Sequence, residues 1–169
     1  FKTEIRRFRD GMQGGARASS DSKPEGRRPA LSPPLAIRDV METGLATVSP
    51  STQIRAALAL MTSHRISSVP VVDDEGRIVG ALNESDLMRV FYQPDVQCVG
   101  DVMTRNPVSV PLGAPLVDVV DHLMSTNFRR VLIHDGGRLV GVITRSHLMP
   151  ALLDVLEQQA RPGVSADPH

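Results

Sequence analysis

The sequence predicts an α+β fold: two βαββα units packed about a pseudo-twofold axis and preceded by a flexible basic N-terminal extension. Three observations carry that prediction. "DVM" at Asp39–Met41 returns as "DVM" at Asp101–Met103, an offset of 62. "VGALNESDLM" (Val79–Met88) returns as "VGVITRSHLM" (Val140–Met149), an offset of 61. Between these markers, extended and helical apolar spacings follow in the same order in both copies. The one-residue loss falls in a turn, "DDEG" (Asp73–Gly76) against "DGG" (Asp135–Gly137), where a change of length is tolerated.

Each unit opens with a short extended piece, "ATVSP" (Ala46–Pro50) or "PVSVP" (Pro107–Pro111). A helix follows, with apolar residues at i, i+3, i+4 and i+7: Ile54, Ala57, Leu58 and Met61 in the first unit, Leu116, Val119, Val120 and Leu123 in the second. Pro115 falls in a first turn, where its missing N–H is not needed. "VPVV" (Val69–Val72) or "VLIH" (Val131–His134), an acidic glycine turn, and "RIVGAL" (Arg77–Leu82) or "RLVGVI" (Arg138–Ile143) then read as a hairpin. Ser85 and Ser146 are placed to cap the closing helices, Asp86–Tyr92 and His147–Gln158. A half-sheet covered on one face only must close on its partner, which supplies the pseudo-twofold packing. The expected division is an extension at 1–36, a first repeat at 37–92, a linker at 93–98, a second repeat at 99–158 and a disordered tail at 159–169.

Composition narrows the function. The 169 residues are 41% apolar, enough for a buried core, and the net charge is zero. That charge is unevenly placed: residues 1–36 hold eight Lys and Arg against four acids, and the rest hold eleven against fifteen. The basic stretch reads as a solvated linker, or as a contact for a membrane surface or nucleic acid. "GMQGGARASSDSKPEGRRPALSPP" lacks apolar periodicity, while Phe1, Ile5 and Phe8 before it recur at helical spacing, as an arm or the end of a preceding domain would. Cys98 is the sole cysteine, so no intrachain disulfide forms and a reducing compartment, the cytoplasm, fits. No apolar run approaches the ~18 residues that span a bilayer. The first residue is Phe1, so a preceding effector domain is expected, and a membrane protein would place this chain on its cytoplasmic face.

Signatures of catalysis are missing. The sequence has no Gly-rich loop ending in Gly-Lys-Ser/Thr, no His-Glu-x-x-His and no Gly-x-Ser-x-Gly. The five histidines, at 64, 122, 134, 147 and 169, show no metal-ligand spacing. With no Trp and one Tyr, stacking platforms for nucleic acid are absent, so no nucleic-acid partner is expected.

The paired pattern, "DVM…TVSP…helix…SVPVVDDEGRIVGALNESDL" and then "DVM…SVP…helix…RRVLIHDGGRLVGVITRSHL", resembles a tandem of CBS (cystathionine beta-synthase) domains, a Bateman module, from about Ile37 to Leu153. The resemblance implies a non-enzymatic regulatory module that binds AMP, ADP or ATP, less often S-adenosylmethionine, between the repeats. It needs no cofactor. It also implies a ribose contact at Asp86, in "NESD", which the second repeat has replaced with His147. Chemistry agrees with that asymmetry: a carboxylate accepts both hydroxyls of a vicinal diol, whereas neutral imidazole has one acceptor. The competing role for Asp86 is a first-turn acid favoured by the helix dipole, worth ~0.3–1 kcal/mol.

The same resemblance pairs Asp86 with phosphate donors on the other repeat, Arg129 and Arg130, which stand where the first repeat has Ser67 and Ser68. Guanidinium forks onto phosphate; the alternative is a pair of solvated edge-strand charges. Ser85 and Asn83 are candidates for further phosphate contacts, although Thr is usual where Asn83 stands. Thr47, Val48, Ile66 and Val69 are the expected adenine slot, or else plain core. One competent site per chain is therefore expected, with the second degenerate. The apolar residues of "DLMRVFY" and "HLMPALLDVL" exceed what one pair of repeats needs, which points to a homodimer. A ligand-free homodimerisation module is the rival reading.

Overall fold

Two small sheets, each backed by helices, form the molecule in the computed structural model, which describes residues 35–125 and 128–160. The expected basic extension up to residue 34 and the tail beyond residue 160 lie outside the described residues. In chain order the elements are α1 (Ile37–Val40), α2 (Ile54–His64), β1 (Ser68–Val72), β2 (Ile78–Asn83), α3 (Glu84–Met88), α4 (Val99–Val102) and β3 (Thr104–Arg105). They continue with β4 (Ser109–Pro111), α5 (Leu116–Met124), β5 (Arg130–Asp135), β6 (Arg138–Thr144) and α6 (Arg145–Ala160). The two-unit α+β architecture is the predicted one.

What the repeat pattern did not predict is an exchange between the units. β3 follows the second "DVM", yet it pairs antiparallel with β2 of the first repeat, Gly80 opposite Arg105 and Ala81 opposite Thr104. Glu42, after the first "DVM", forms the reciprocal antiparallel bridge with Val142 of β6. Each sheet thus holds its own hairpin, β1–β2 or β5–β6, flanked on one side by a segment of the other repeat. On the opposite side lies the repeat's own opening strand, Val48 beside Val71 or β4 beside β5, both parallel.

The recurring motifs now have physical causes. In each "DVM" the acid closes the start of a short helix: Asp39 Oδ2 accepts the Ala36 N–H at 2.9 Å, and Asp101 Oδ2 accepts those of Cys98 at 2.9 Å and Gln97 at 3.1 Å. These two backbone donors hold the Asp101 carboxyl below its usual range. The Val-Gly dipeptide marks where the exchanged segment crosses: a Cβ on Gly80 would stand 2.8 Å from Met103 Sδ and 2.9 Å from the Thr104 carbonyl oxygen. Gly141 meets Met41 Sδ at 2.7 Å and the Glu42 carbonyl oxygen at 2.9 Å in the same way. Only hydrogen fits at these two positions.

The exchange also builds the cores. Val99, Val102 and Met103, from the second repeat, are buried with Val48, Ala57, Met61, Val69, Val71 and Leu82 of the first. Ile37 is fully buried among second-repeat residues such as Val119, Val131 and Ile143, with Leu35 and Met41 packed beside it. Leu35 lies inside the stretch expected to be extension, yet it packs partly buried against this core.

Several local expectations need correction. Leu58, placed on the inner face of α2, is 50% exposed, and Leu60 packs on the core instead. Pro115 is the residue before α5, at φ −63° and ψ 141°, rather than part of its first turn. α3 begins at Glu84 and α6 at Arg145, so Ser85 and Ser146 lie inside their helices; Asn83 is the cap residue of α3. The reach of α6 to Ala160 exceeds the expected end at Gln158. The hairpin tips meet across the molecule, with the Ile78 N–H on the Gly137 carbonyl at 3.1 Å and the Leu139 N–H on the Gly76 carbonyl at 3.0 Å.

Candidate functional site

A cleft of about 520 Å³ opens between the repeats, within the range that takes a small organic ligand. Asn83, Glu84 and Ser85 bring the start of α3 to one side of it. Arg129 and Arg130 reach it from the start of β5, facing Ser67 and Ser68 from the start of β1. Its apolar lining includes Pro107, Val108, Phe128 and Leu132, all from the second repeat.

Asp86 lies beneath this cleft rather than on its wall, and is only 2% exposed. Its position three residues after the cap Asn83 turns the carboxylate back over the helix start, where Oδ2 accepts the Asn83 N–H at 2.9 Å and Asn83 Nδ2 at 3.0 Å. A third donor comes from the exchanged strand: Thr104 Oγ1 lies 3.2 Å from both Oδ1 and Oδ2. Among the described residues no buried side-chain polar atom is left without a partner, so the acid is satisfied without ligand.

The second repeat carries the same arrangement with other chemistry. His147 occupies the position of Asp86, and its Nδ1 accepts the Thr144 N–H at 3.2 Å, as the acid's oxygen does for Asn83. Glu42 occupies the position of Thr104, with Oε2 3.6 Å from His147 Nε2. The two substitutions go together: an acid with a hydroxyl at one helix start, an imidazole with an acid at the other. The duplicated frame survives because either ring nitrogen or carboxylate oxygen can hold the helix start.

Arg130 stands between these places. Nη1 donates to the Ser68 carbonyl at 3.0 Å and Nη2 to Ser67 Oγ at 3.4 Å, tying β5 to the start of β1. Burial pulls its guanidinium below the ordinary value, and the Glu42 carboxylate partly restores it. Arg129 beside it is exposed.

Of the residues singled out from sequence, Asn83, Ser85, Arg129 and Arg130 meet around one cleft with Asp86 beneath them. The four residues expected as an adenine slot do not line this cleft. Val48 and Val69 are buried in the first core with Ile66 packed on it, and Thr47 lines a separate cavity of about 240 Å³ beside Leu139 and Val140. Val48 stays with its own repeat, bonded to Pro70 and Val72 of β1 on the side of the hairpin away from β3. The apolar wall above Asp86 is accordingly drawn from Val108 and Phe128, 62 positions after Ala46 and Ile66. Thr104 was missed altogether. The sequence did hold its signal, in the paired change from Thr104 and Asp86 to Glu42 and His147.

Comparison with known proteins fits this geometry. The CBS domain family matches residues 37–93 and 99–154. The chain belongs to the CBS domain family. This CBS pair is 34% identical over 122 residues to arabinose 5-phosphate isomerase KdsD of Yersinia pestis, covering 69% of this chain and 37% of that protein. It is 29% identical over 142 residues to the chloroplastic CBS domain-containing protein CBSX2 of Arabidopsis thaliana, covering 66% of this chain and 60% of that one. The chain thus spans less than two thirds of the length of these two curated relatives. Among solved structures, CBSX2 in complex with AMP matches with a TM-score of 0.64 at 30% identity, covering 72% of this chain and 98% of that one.

Proposed function

We propose that this CBS pair is a regulatory module that senses an adenine nucleotide, AMP, ADP or ATP, at one competent site per chain. The observation that carries the reading is the asymmetry of the two pseudo-equivalent places. One has Arg129 and Arg130 across a cleft from Asn83, Ser85 and the buried Asp86. By repeat equivalence the other has serines for the arginines and His147 for the acid.

In this reading the phosphate lies against Arg129 and Arg130, whose planar forks match its oxygens. Ser85 and Asn83 add neutral donors. The adenine packs on Val108, Phe128 and Leu132, and the ribose hydroxyls reach down to Asp86. CBSX2 supports the ligand class, because this chain matches 98% of the chain solved in complex with AMP, at 30% identity. The CBS pair of MJ0100, in complex with 5′-methylthioadenosine and S-adenosyl-L-methionine, is 23% identical and speaks to the fold alone. The module itself performs no chemistry. An effector domain tethered to it reads the change in repeat packing by linkage, in the cytoplasm or on the cytoplasmic face of a membrane protein.

A thermal-shift screen with AMP, ADP, ATP and S-adenosylmethionine tests the proposal. A ligand at 100 times its Kd stabilises the fold by about 2.7 kcal/mol, a shift of several degrees. Arg129→Ala should weaken the binding about tenfold through one charge-assisted contact. If no compound in the panel moves the midpoint, the sensor reading fails. A ligand-free homodimerisation module would then take its place, a reading favoured by the exposed Met88, Phe91, Tyr92, Met149, Leu153 and Leu156.

A further inference from the structure

We infer that Thr104 is a gate on Asp86: its hydroxyl holds the seat on the carboxylate that the ribose diol of a bound nucleotide must take. The inference rests on the nucleotide reading above and adds to it the residue that sets affinity.

Thr104 lines the cleft, whereas Asp86 does not. A ligand therefore meets the hydroxyl before it meets the acid. A carboxylate has about four acceptor sites, and three donors already share them. The Asn83 N–H belongs to the helix start and stays. The two Asn83 donors fill Oδ2, so the open oxygen is Oδ1, which Thr104 alone holds, and a diol that donates both hydroxyls there displaces Thr104. That hydroxyl is divided between Oδ1 and Oδ2 at 3.2 Å each, longer than the ~2.7–2.8 Å typical of O–H···O bonds. It is the longest of the three contacts, on a residue that lines the cleft.

Its position in the fold gives the gate a consequence. Thr104 sits on β3, a two-residue segment of the second repeat held against β2 of the first. The preceding Met103 is buried in the first core. Displacing Thr104 therefore acts on the strand that joins the two repeats. Glu42 faces His147 from the equivalent position on the other side, so both exchanged segments place a side chain over the opposing helix. Only the one over Asp86 covers a group that a diol would replace.

Calorimetric titration with AMP and with 2′,3′-dideoxy-AMP tests the gate in the full chain. Thr104→Val keeps the shape and removes the competing hydroxyl; AMP should bind about threefold to tenfold more tightly, one displaced hydrogen bond's worth. The gain should vanish with the dideoxy compound, which has no diol. Thr104→Ser, which restores the hydroxyl, should return the parent's affinity. In the absence of ligand, Thr104→Val should melt a few degrees lower, because Asp86 loses a donor. Weaker AMP binding by Thr104→Val would make Thr104 a ligand contact and overturn the gate, and unchanged binding would overturn it too. If the parent itself binds no AMP at millimolar concentration, the nucleotide reading falls and the gate with it; a parent that binds, with no gain in the variant, sinks the gate alone.

Discussion

Asp86→Ala in the ligand-free protein measures how much of the fold rests on this acid. From sequence alone the loss is a helix-dipole contribution of at most ~1 kcal/mol. Burial changes that figure. The carboxylate is 2% exposed and accepts the Asn83 N–H at 2.9 Å, a helix-start donor with no other partner. A hydrogen bond to a charged group is worth about 1.5–3 kcal/mol, and the dipole contribution adds to it. The Asn83 amide and Thr104 hydroxyl both border the cleft and can rehydrate, so they add little. The expected loss is about 2–4 kcal/mol, or about 4–16 °C in the thermal midpoint for a chain of this size. Urea unfolding at neutral pH is the assay, with a lower midpoint and an unchanged slope as the signature. A loss below ~0.5 kcal/mol, the ordinary range for a surface substitution, would refute the reasoning. His147→Ala is the contrast: it removes one neutral acceptor for Thr144, costs about 0.5–1.5 kcal/mol, and should leave AMP affinity within about twofold.

Gly80→Ala should destabilise by about 1–3 kcal/mol, as overpacking does, because the new methyl meets the Thr104 backbone oxygen. Gly113→Ala, with nothing within 4 Å of the added carbon, is the control and should be near neutral in the same denaturation assay. Acid unfolding should report Asp101, whose carboxyl is held low by the Cys98 and Gln97 N–H groups. A lowered folded value contributes stability that is present above the unfolded value and lost as pH falls through the folded one. Asp101→Asn should accordingly be less stable than the parent at pH 7, with the gap closing in strong acid; a gap independent of pH would refute that. Light scattering at micromolar concentration should find a homodimer, reduced to monomer by Phe91→Asp with Leu153→Asp, two apolar residues that are 81% and 57% exposed. A parent that is monomeric with and without AMP would overturn the dimer.

The sequence by itself determined the elements and their duplication. Hairpins, the amphipathic faces of α2 and α5, and the acid Asp86 in the first turn of α3 are properties of neighbouring residues, so periodicity and turn chemistry display them. Asn83, Ser85, Arg129 and Arg130 were found for a related reason: comparing two copies of one frame exposes the positions at which polar chemistry differs. Tertiary structure decided which copy faces which. The pairing of Thr104 with Ala81 and of Glu42 with Val142 is a long-range backbone contact, and nothing in the local pattern of "DVMT" or "DVME" states its partner. Tertiary structure likewise lined the cleft with Val108, Phe128 and Leu132 in place of Thr47, Val48, Ile66 and Val69. It also brought Thr104 onto Asp86. A side chain's burial and the donors on its oxygens depend on chains meeting from distant positions, so the covered state of this acid became visible only when the two repeats were closed on each other.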